Sequence, residues 1–327
     1  MRYTRRDIGK AALGVLPAAL FGGRARIGWA QAGRPNSRWA GVQVGLNVPY
    51  NFGKARIMPA DEVLSRCLQL GASAIELRSQ PVELALGSPP AVPEDAPGTA
   101  TADEKAARKA AQAAAAIPLR QWRSAGVPGA AAQAFRKKYE DAGVRIEIVK
   151  FDNVYTMADE ELNFAFALAK ALGARALSCE IDTDAAMNGT ARVGQFADKH
   201  QMRVGYHGHQ ETTPAHWEHA FSQATFNGAN LDIGHFVAGN NTSPVPFLKQ
   251  YHDRITHIHV KDRKMNKGAT PPFGQGDVPI KEVLQTIRDN KWNIQATIEF
   301  EYPIPAGSNY MTENAKCVEF CKAALLG

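Results

Sequence analysis

"MRVGYHGH", Met202 to His209, starts as an apolar strand and ends on two histidines two apart. "ITHIHVKD", Ile255 to Asp262, repeats the device with His257 and His259. Residues two apart on a strand share one face, so each run presents two imidazoles to the same side. A strand buried on both faces of a parallel sheet should read apolar throughout. These runs are apolar first and turn polar at their C-terminal ends.

The same reading extends in both directions. "ALSCEI" (Ala176 to Ile181) carries Glu180, and "ANLDIGH" (Ala229 to His235) carries Asp232 and His235. "IQATIEFEY" (Ile294 to Tyr302) carries Glu299 and Glu301, and "VRIEIVKF" (Val144 to Phe151) ends near Lys150. Nearer the N-terminus, "GVQVGLNV" (Gly41 to Val48) and "AIELRS" (Ala74 to Ser79) read as two more strands. Helical patterns lie between them, such as "DEVLSRCLQLG" with its glycine stop and "ADEELNFAFALAKALG". Eight strands spaced for β-α crossovers predict the α/β class and a closed (β/α)8 TIM barrel, a size that 327 residues suits. The competing architecture is a doubly wound open sheet, but no G-x-G-x-x-G follows the first strand. In a barrel, the polar strand ends gather where active sites form.

The rhythm breaks between Pro81 and about Phe135. "GSPPAVPEDAPG" reads as a proline-rich loop, and the alanine-rich run after it as a helix capped by Thr101, with Asp103 and Glu104 in its first turn. This Ala/Pro-rich segment is expected to be an insertion after strand two, either a solvated spacer or an active-site lid.

The first 32 residues have a basic start, a short apolar stretch and a small-x-small end at Ala30 to Ala32. The apolar stretch falls short of the ~20 residues a membrane span needs. Arg5 and Arg6 make it resemble a twin-arginine export signal. The expectation is a leader over 1–32, the barrel over 33–327, a periplasmic or secreted location, and the Tat machinery as export partner. Six Lys/Arg and one acid place +5 of the +6 net charge in that leader. The near-neutral remainder gives no support to nucleic-acid binding or to a membrane span. The four cysteines form no C-x-x-C pair, and Cys317 and Cys321, four apart on one helix, suit a disulfide poorly. Buried free thiols are expected.

Histidines and carboxylates from five consecutive strands make a costly cluster unless something binds it. Neighbouring carboxylates repel and take up protons; a divalent cation holds them ionised. The mixed nitrogen and oxygen donors suit Mn²⁺, Co²⁺, Fe²⁺ or Zn²⁺, with Mg²⁺ if water completes the shell.

At these residues the chain resembles the xylose isomerase-like TIM-barrel superfamily, in its sugar phosphate isomerase/epimerase branch. "LDIGH" (Leu231 to His235) matches its D-x-x-H on strand six, "HVKD" (His259 to Asp262) its strand-seven motif, and "IEFE" (Ile298 to Glu301) its strand-eight glutamate. "GQGDV" (Gly274 to Val278) is similar to the turn after strand seven. The resemblance implies one divalent metal, Mn²⁺ first among the five ions, held by Asp232, His259 and Glu299. The family's strand-five glutamate is His207 here, so either His207 ligates or Glu180 reaches in from strand four. It implies His209, Glu180 and Glu299 as catalytic groups, with His209 the acid/base. Lys150, His235, His257, Lys261, Arg263 and Glu301 are expected to bind substrate, Lys150 either polarising a carbonyl or pairing with Glu180.

The chemistry implied is enediolate formation on a ketosugar, ending in epimerisation, aldose–ketose isomerisation or elimination. His209 and the export signal favour elimination on a 3-keto-glycoside or an inosose-like ketone. A phosphodiesterase of the DNA-repair type would need further metal ligands after strand seven, and the loop Arg263 to Asp277 has no histidine. A non-catalytic periplasmic sugar-binding protein is the other alternative. Relatives are often dimers or tetramers, so a homo-oligomer is expected.

Overall fold

Eight parallel strands run in chain order around a closed cylinder: β1 (Val42–Val48), β2 (Ala74–Arg78), β3 (Arg145–Lys150), β4 (Ala176–Glu180), β5 (Arg203–His207), β6 (Asn227–Asp232), β7 (Ile255–Val260) and β8 (Gln295–Ile298). β8 returns to pair with β1, Leu46 opposite Ile298, which closes the sheet. A two-residue strand, Arg38–Trp39, adds antiparallel to β1. This computed structural model describes residues 34–54, 57–90 and 101–327; the expected leader and most of the proline-rich loop lie outside them. The fold is the expected (β/α)8 TIM barrel.

Side chains alternate along each strand. Leu46, Val48, Leu77, Leu177, Val204, Leu231, Ile258 and Ile298 are buried and join the core shared with the helices. The other face looks into the barrel and is polar well below the rim. Asn47, Glu76, Ser178, Asn230, His257 and Thr297 are all fully buried. Strands expected to be apolar until their ends are thus polar on their inner face along most of their length. The tight floor is made partly by glycine: a Cβ on Gly205 would collide with Thr256 Oγ1.

The helices are α1 (Ala60–Gln69), α2 (Ser79–Ala85), α3 (Ala102–Ser124), α4 (Gly129–Asp141), α5 (Asp159–Ala171), α6 (Asn188–His200), α7 (Pro214–Gln223), α8 (Ile233–Asn240), α9 (Val245–Tyr251), α10 (Ile280–Asp289) and α11 (Tyr310–Leu326). Between β2 and β3, three helices lie among the described residues. Thr101 caps α3, accepting from the Glu104 N–H while the Glu104 carboxylate accepts from the Thr101 N–H. The far end of α3 is clasped to the body. Arg123 pairs with Glu83 at 2.7 Å and Glu161 at 3.3 Å, and Trp122 meets Phe164 edge-on. α4 starts at Gly129 and buries Ala132, Phe135 and Tyr139 beside β3. The return helix therefore begins inside the segment expected to be inserted, because its first turns are alanine and glycine and show little apolar stripe. All four cysteines are buried and free. Among the described residues, no helix is long and apolar enough to cross a membrane.

Candidate metal and acid–base site

β8 is shorter than its sequence pattern. It stops at Ile298, but the Glu299 N–H still donates to Val260 O; one residue later the Phe300 N–H turns to Asn51 Oδ1. Glu299 is thereby delivered to the mouth. Asp232 ends β6 and caps α8, its Oδ1 accepting from the His235 N–H at 2.7 Å. His207 ends β5, and His259 lies next to last on β7.

These four converge: one ligand atom from each of His207, Asp232, His259 and Glu299 lies within 4.8 Å of the others, and all four residues are buried. His259 Nδ1 is 3.2 Å from Glu299 Oε2 and 3.9 Å from Asp232 Oδ2, while His207 Nε2 is 3.4 Å from Asp232 Oδ2. His259 Nδ1 has no hydrogen-bond partner. Glu299 Oε2 lies outside hydrogen-bond geometry even though Lys261 Nζ is 2.7 Å away. Two imidazole nitrogens and two carboxylate oxygens, with His259 Nδ1 lacking any hydrogen bond, fit a divalent cation.

On its other side His207 meets a second group. Glu180 Oε2 lies 2.8 Å from His207 Nδ1 and 2.9 Å from His209 Nε2, and Glu180 Oε1 is 2.7 Å from Lys150 Nζ. Of the two placements left open, His207 stands among the converging donors and Glu180 behind its ring. Lys150 pairs with Glu180. His209 is just past β5, with its side chain 54% exposed.

The electrostatics follow from burial and partners. Burial would raise Glu299 and Asp232, but Lys261 beside both keeps them well below the carboxylate range. Burial would raise Glu180 as well, but Lys150, His207 and the hydrogen bonds from His207 and His209 together hold it well below that range. Burial would lower His259, yet Glu76 and Glu299 raise it to about 10. Burial takes His235 down to about 3 and His257 down to about 4. His209 is raised, chiefly by its hydrogen bond to Glu180.

The expected substrate residues separate. His235 sits at the mouth, its Nε2 3.0 Å from Lys261 Nζ and its Nδ1 3.0 Å from Arg263 Nη1. Arg263 also donates to Gly268 O and to Gln210 Oε1. Lys261 lies between Asp232, Glu299 and Glu301, and Tyr50 donates to Glu301 at 2.7 Å. His257 is not at the mouth. It is fully buried one step lower, 3.2 Å from Glu76 Oε2, because the strand pair His257 and His259 shares a face but not a depth. Sequence reasoning missed Glu76, Asn47, Tyr50 and the Arg78–Asp152 pair at 2.8 Å. Glu76 did leave a signal: a carboxylate inside the apolar run "AIELRS".

A closed eight-stranded barrel with histidines and carboxylates converging at its C-terminal mouth defines a class of small-molecule enzyme scaffold. Within it, the chain belongs to the xylose isomerase-like TIM barrel family, whose profile matches residues 64–319. An inosose dehydratase of Clostridium botulinum is 28% identical over 137 residues, 35% of this chain and 45% of that protein. The chain thus matches about half the length of that curated relative. D-psicose 3-epimerase with D-tagatose, from Clostridium cellulolyticum, shares the fold at a TM-score of 0.58 and 12% identity, over 87% of this chain and 99% of the other. A xylose isomerase-like TIM barrel protein from Mycobacterium smegmatis in complex with magnesium superposes at 0.50 and 13% identity, over 87% and 96%.

Proposed function

We propose that this protein is a divalent-metal-dependent enzyme that acts on an uncharged ketosugar through an enediolate, with elimination as its outcome on an inosose-like or 3-keto-glycoside substrate. The observation that carries the reading is the pair of clusters sharing His207: converging cation donors on one side, an acid–base dyad on the other. His207, Asp232, His259 and Glu299 would hold the cation, Mn²⁺ first among the candidates. A cation there supplies positive charge to oxygen as the α-proton leaves.

The chain's own residues divide the remaining work. His209 gives its Nε2 to Glu180, which leaves Nδ1 to take the α-proton and return or relay it. Glu180 orients that ring and is itself fixed by Lys150. Tyr50, His235 and Arg263 line the mouth, where substrate hydroxyls would meet them. Arg78 pairs with Asp152, Lys150 with Glu180, and Lys261 with three carboxylates. With these mouth cations already matched to acids, an uncharged sugar suits the site better than a phosphorylated one. The similarity to inosose dehydratase supports elimination; a ketose 3-epimerase is the alternative outcome of the same proton abstraction. Export to the periplasm belongs to the same proposal and rests on residues 1–32.

The test is proton NMR of the metal-loaded enzyme with inosose-like ketones and 3-keto-glycosides in deuterated water. Exchange at the α-carbon should accompany loss of the β-substituent, and His209→Asn should abolish that exchange while metal stays bound. Exchange that survives unchanged in His209→Asn overturns the assignment. Stoichiometric sugar binding without turnover would mark a binding protein instead.

A further inference from the structure

We propose that Glu76 is a positioning residue: it fixes which nitrogen of His259 is offered to the cation. The inference rests on the metal-binding part of the reading above and not on its reaction. Glu76 is on β2, whereas the donors come from β5, β6, β7 and the end of β8, and its side chain is fully buried inside the barrel. Its Oε2 lies 2.6 Å from His259 Nε2, across the barrel from β7. His257 Nε2 lies 3.2 Å from the same oxygen. His257 Nδ1 is 2.8 Å from Thr256 Oγ1, whose hydroxyl donates to Ala229 O. Glu76 thus holds His259 from behind, while His257 packs beneath the carboxylate without hydrogen-bonding to it.

A neutral imidazole has one N–H and one lone pair, and only the lone pair can take a cation. The Glu76 carboxylate, at 2.6 Å, claims the proton at Nε2 over the Asn230 amide nitrogen, which meets the same atom at 3.0 Å. With a cation bound the ring is neutral, and the lone pair it offers is on Nδ1, the nitrogen next to Glu299 and Asp232 and without a hydrogen-bond partner. Removing the carboxylate frees the ring to adopt the other tautomer or to rotate. Partners behind a metal-binding histidine carry about 10–100-fold in metal affinity.

The experiment uses Zn²⁺ alone as probe, with Glu76→Gln beside the parent protein. Zn²⁺ affinity is measured by competition with a chromophoric chelator, folding by near-ultraviolet circular dichroism, and the His259 ring by nitrogen-15 spectra. The parent should bind Zn²⁺ through His259 Nδ1 with Nε2 protonated, and Glu76→Gln should bind it roughly 10–100-fold more weakly while folded. A folded Glu76→Gln that binds Zn²⁺ like the parent overturns the inference, even if its apo form is less stable, because that is what a purely structural carboxylate gives. If the variant does not fold, the parent spectra decide: Zn²⁺ on Nε2 with the proton on Nδ1 overturns it. A parent that binds no Zn²⁺ at all sinks the metal site itself, which separates the two failures.

Discussion

The residue that couples the two halves of the site is Glu180. One of its oxygens serves both His207 and His209, and the other serves Lys150. The bond to His209 raises that imidazole above the ordinary ~6.5 of a free histidine. The sign of the linkage is fixed by this direction. Because the folded value is the higher one, the pairing stabilises the fold below the unfolded pKa and is lost as pH rises through the folded value. Ring-proton NMR should find His209 titrating above its ordinary value, and Glu180→Gln should bring it back down. An unmoved midpoint in that variant would mean the hydrogen bond is absent in solution. Glu76 shows what a single chain hides at this scale. Its carboxylate stands out in an apolar run, but its partners lie on β7, and pairing across a barrel has no local spacing to betray it. His209 and Glu180 were easier, because both fall at strand ends that the alternation exposes.

At the scale of elements, the strands were legible because eight apolar runs recur at crossover spacing, and the loops between them were not. Thr101 and Glu104 announce the start of α3 by their spacing alone. The clasp at its other end is invisible in sequence, since Arg123 meets Glu83 from α2 and Glu161 from α5. Both carboxylates are nearly buried, with side chains 3% and 5% exposed. Arg123→Ala would strand Glu83 in the interior, while Glu161 keeps Arg120 at 3.0 Å, and breaking a buried pair in this way costs about 3–5 kcal/mol. Urea unfolding should show that loss. A change under ~1 kcal/mol, the range of surface ion pairs, would mean that α3 is not docked in solution. The boundary of α4 was misjudged for a related reason: an alanine-rich turn buries area without displaying a stripe.

For the whole molecule, the donors for a cation come from β5, β6, β7 and β8, so a bound ion ties half of the staves together. A ligand that binds only the folded chain adds stability by mass action, about 2.7 kcal/mol at a concentration 100-fold above its dissociation constant. Thermal unfolding should therefore move to higher temperature with added Mn²⁺ and fall back with a chelator. A Tm indifferent to both would contradict the site.

The seam of the barrel adds a consequence of its own. The Asn47 amide donates to Glu299 Oε1 at 2.9 Å, joining the first stave to the residue just past the last. A nascent chain still lacking Glu299 can display His207, Asp232 and His259 but neither the fourth donor nor the amide that steadies it. Were a cation to load there, its full donor set would form only once the last stave has closed on the first, so tight loading would report a fully wound barrel.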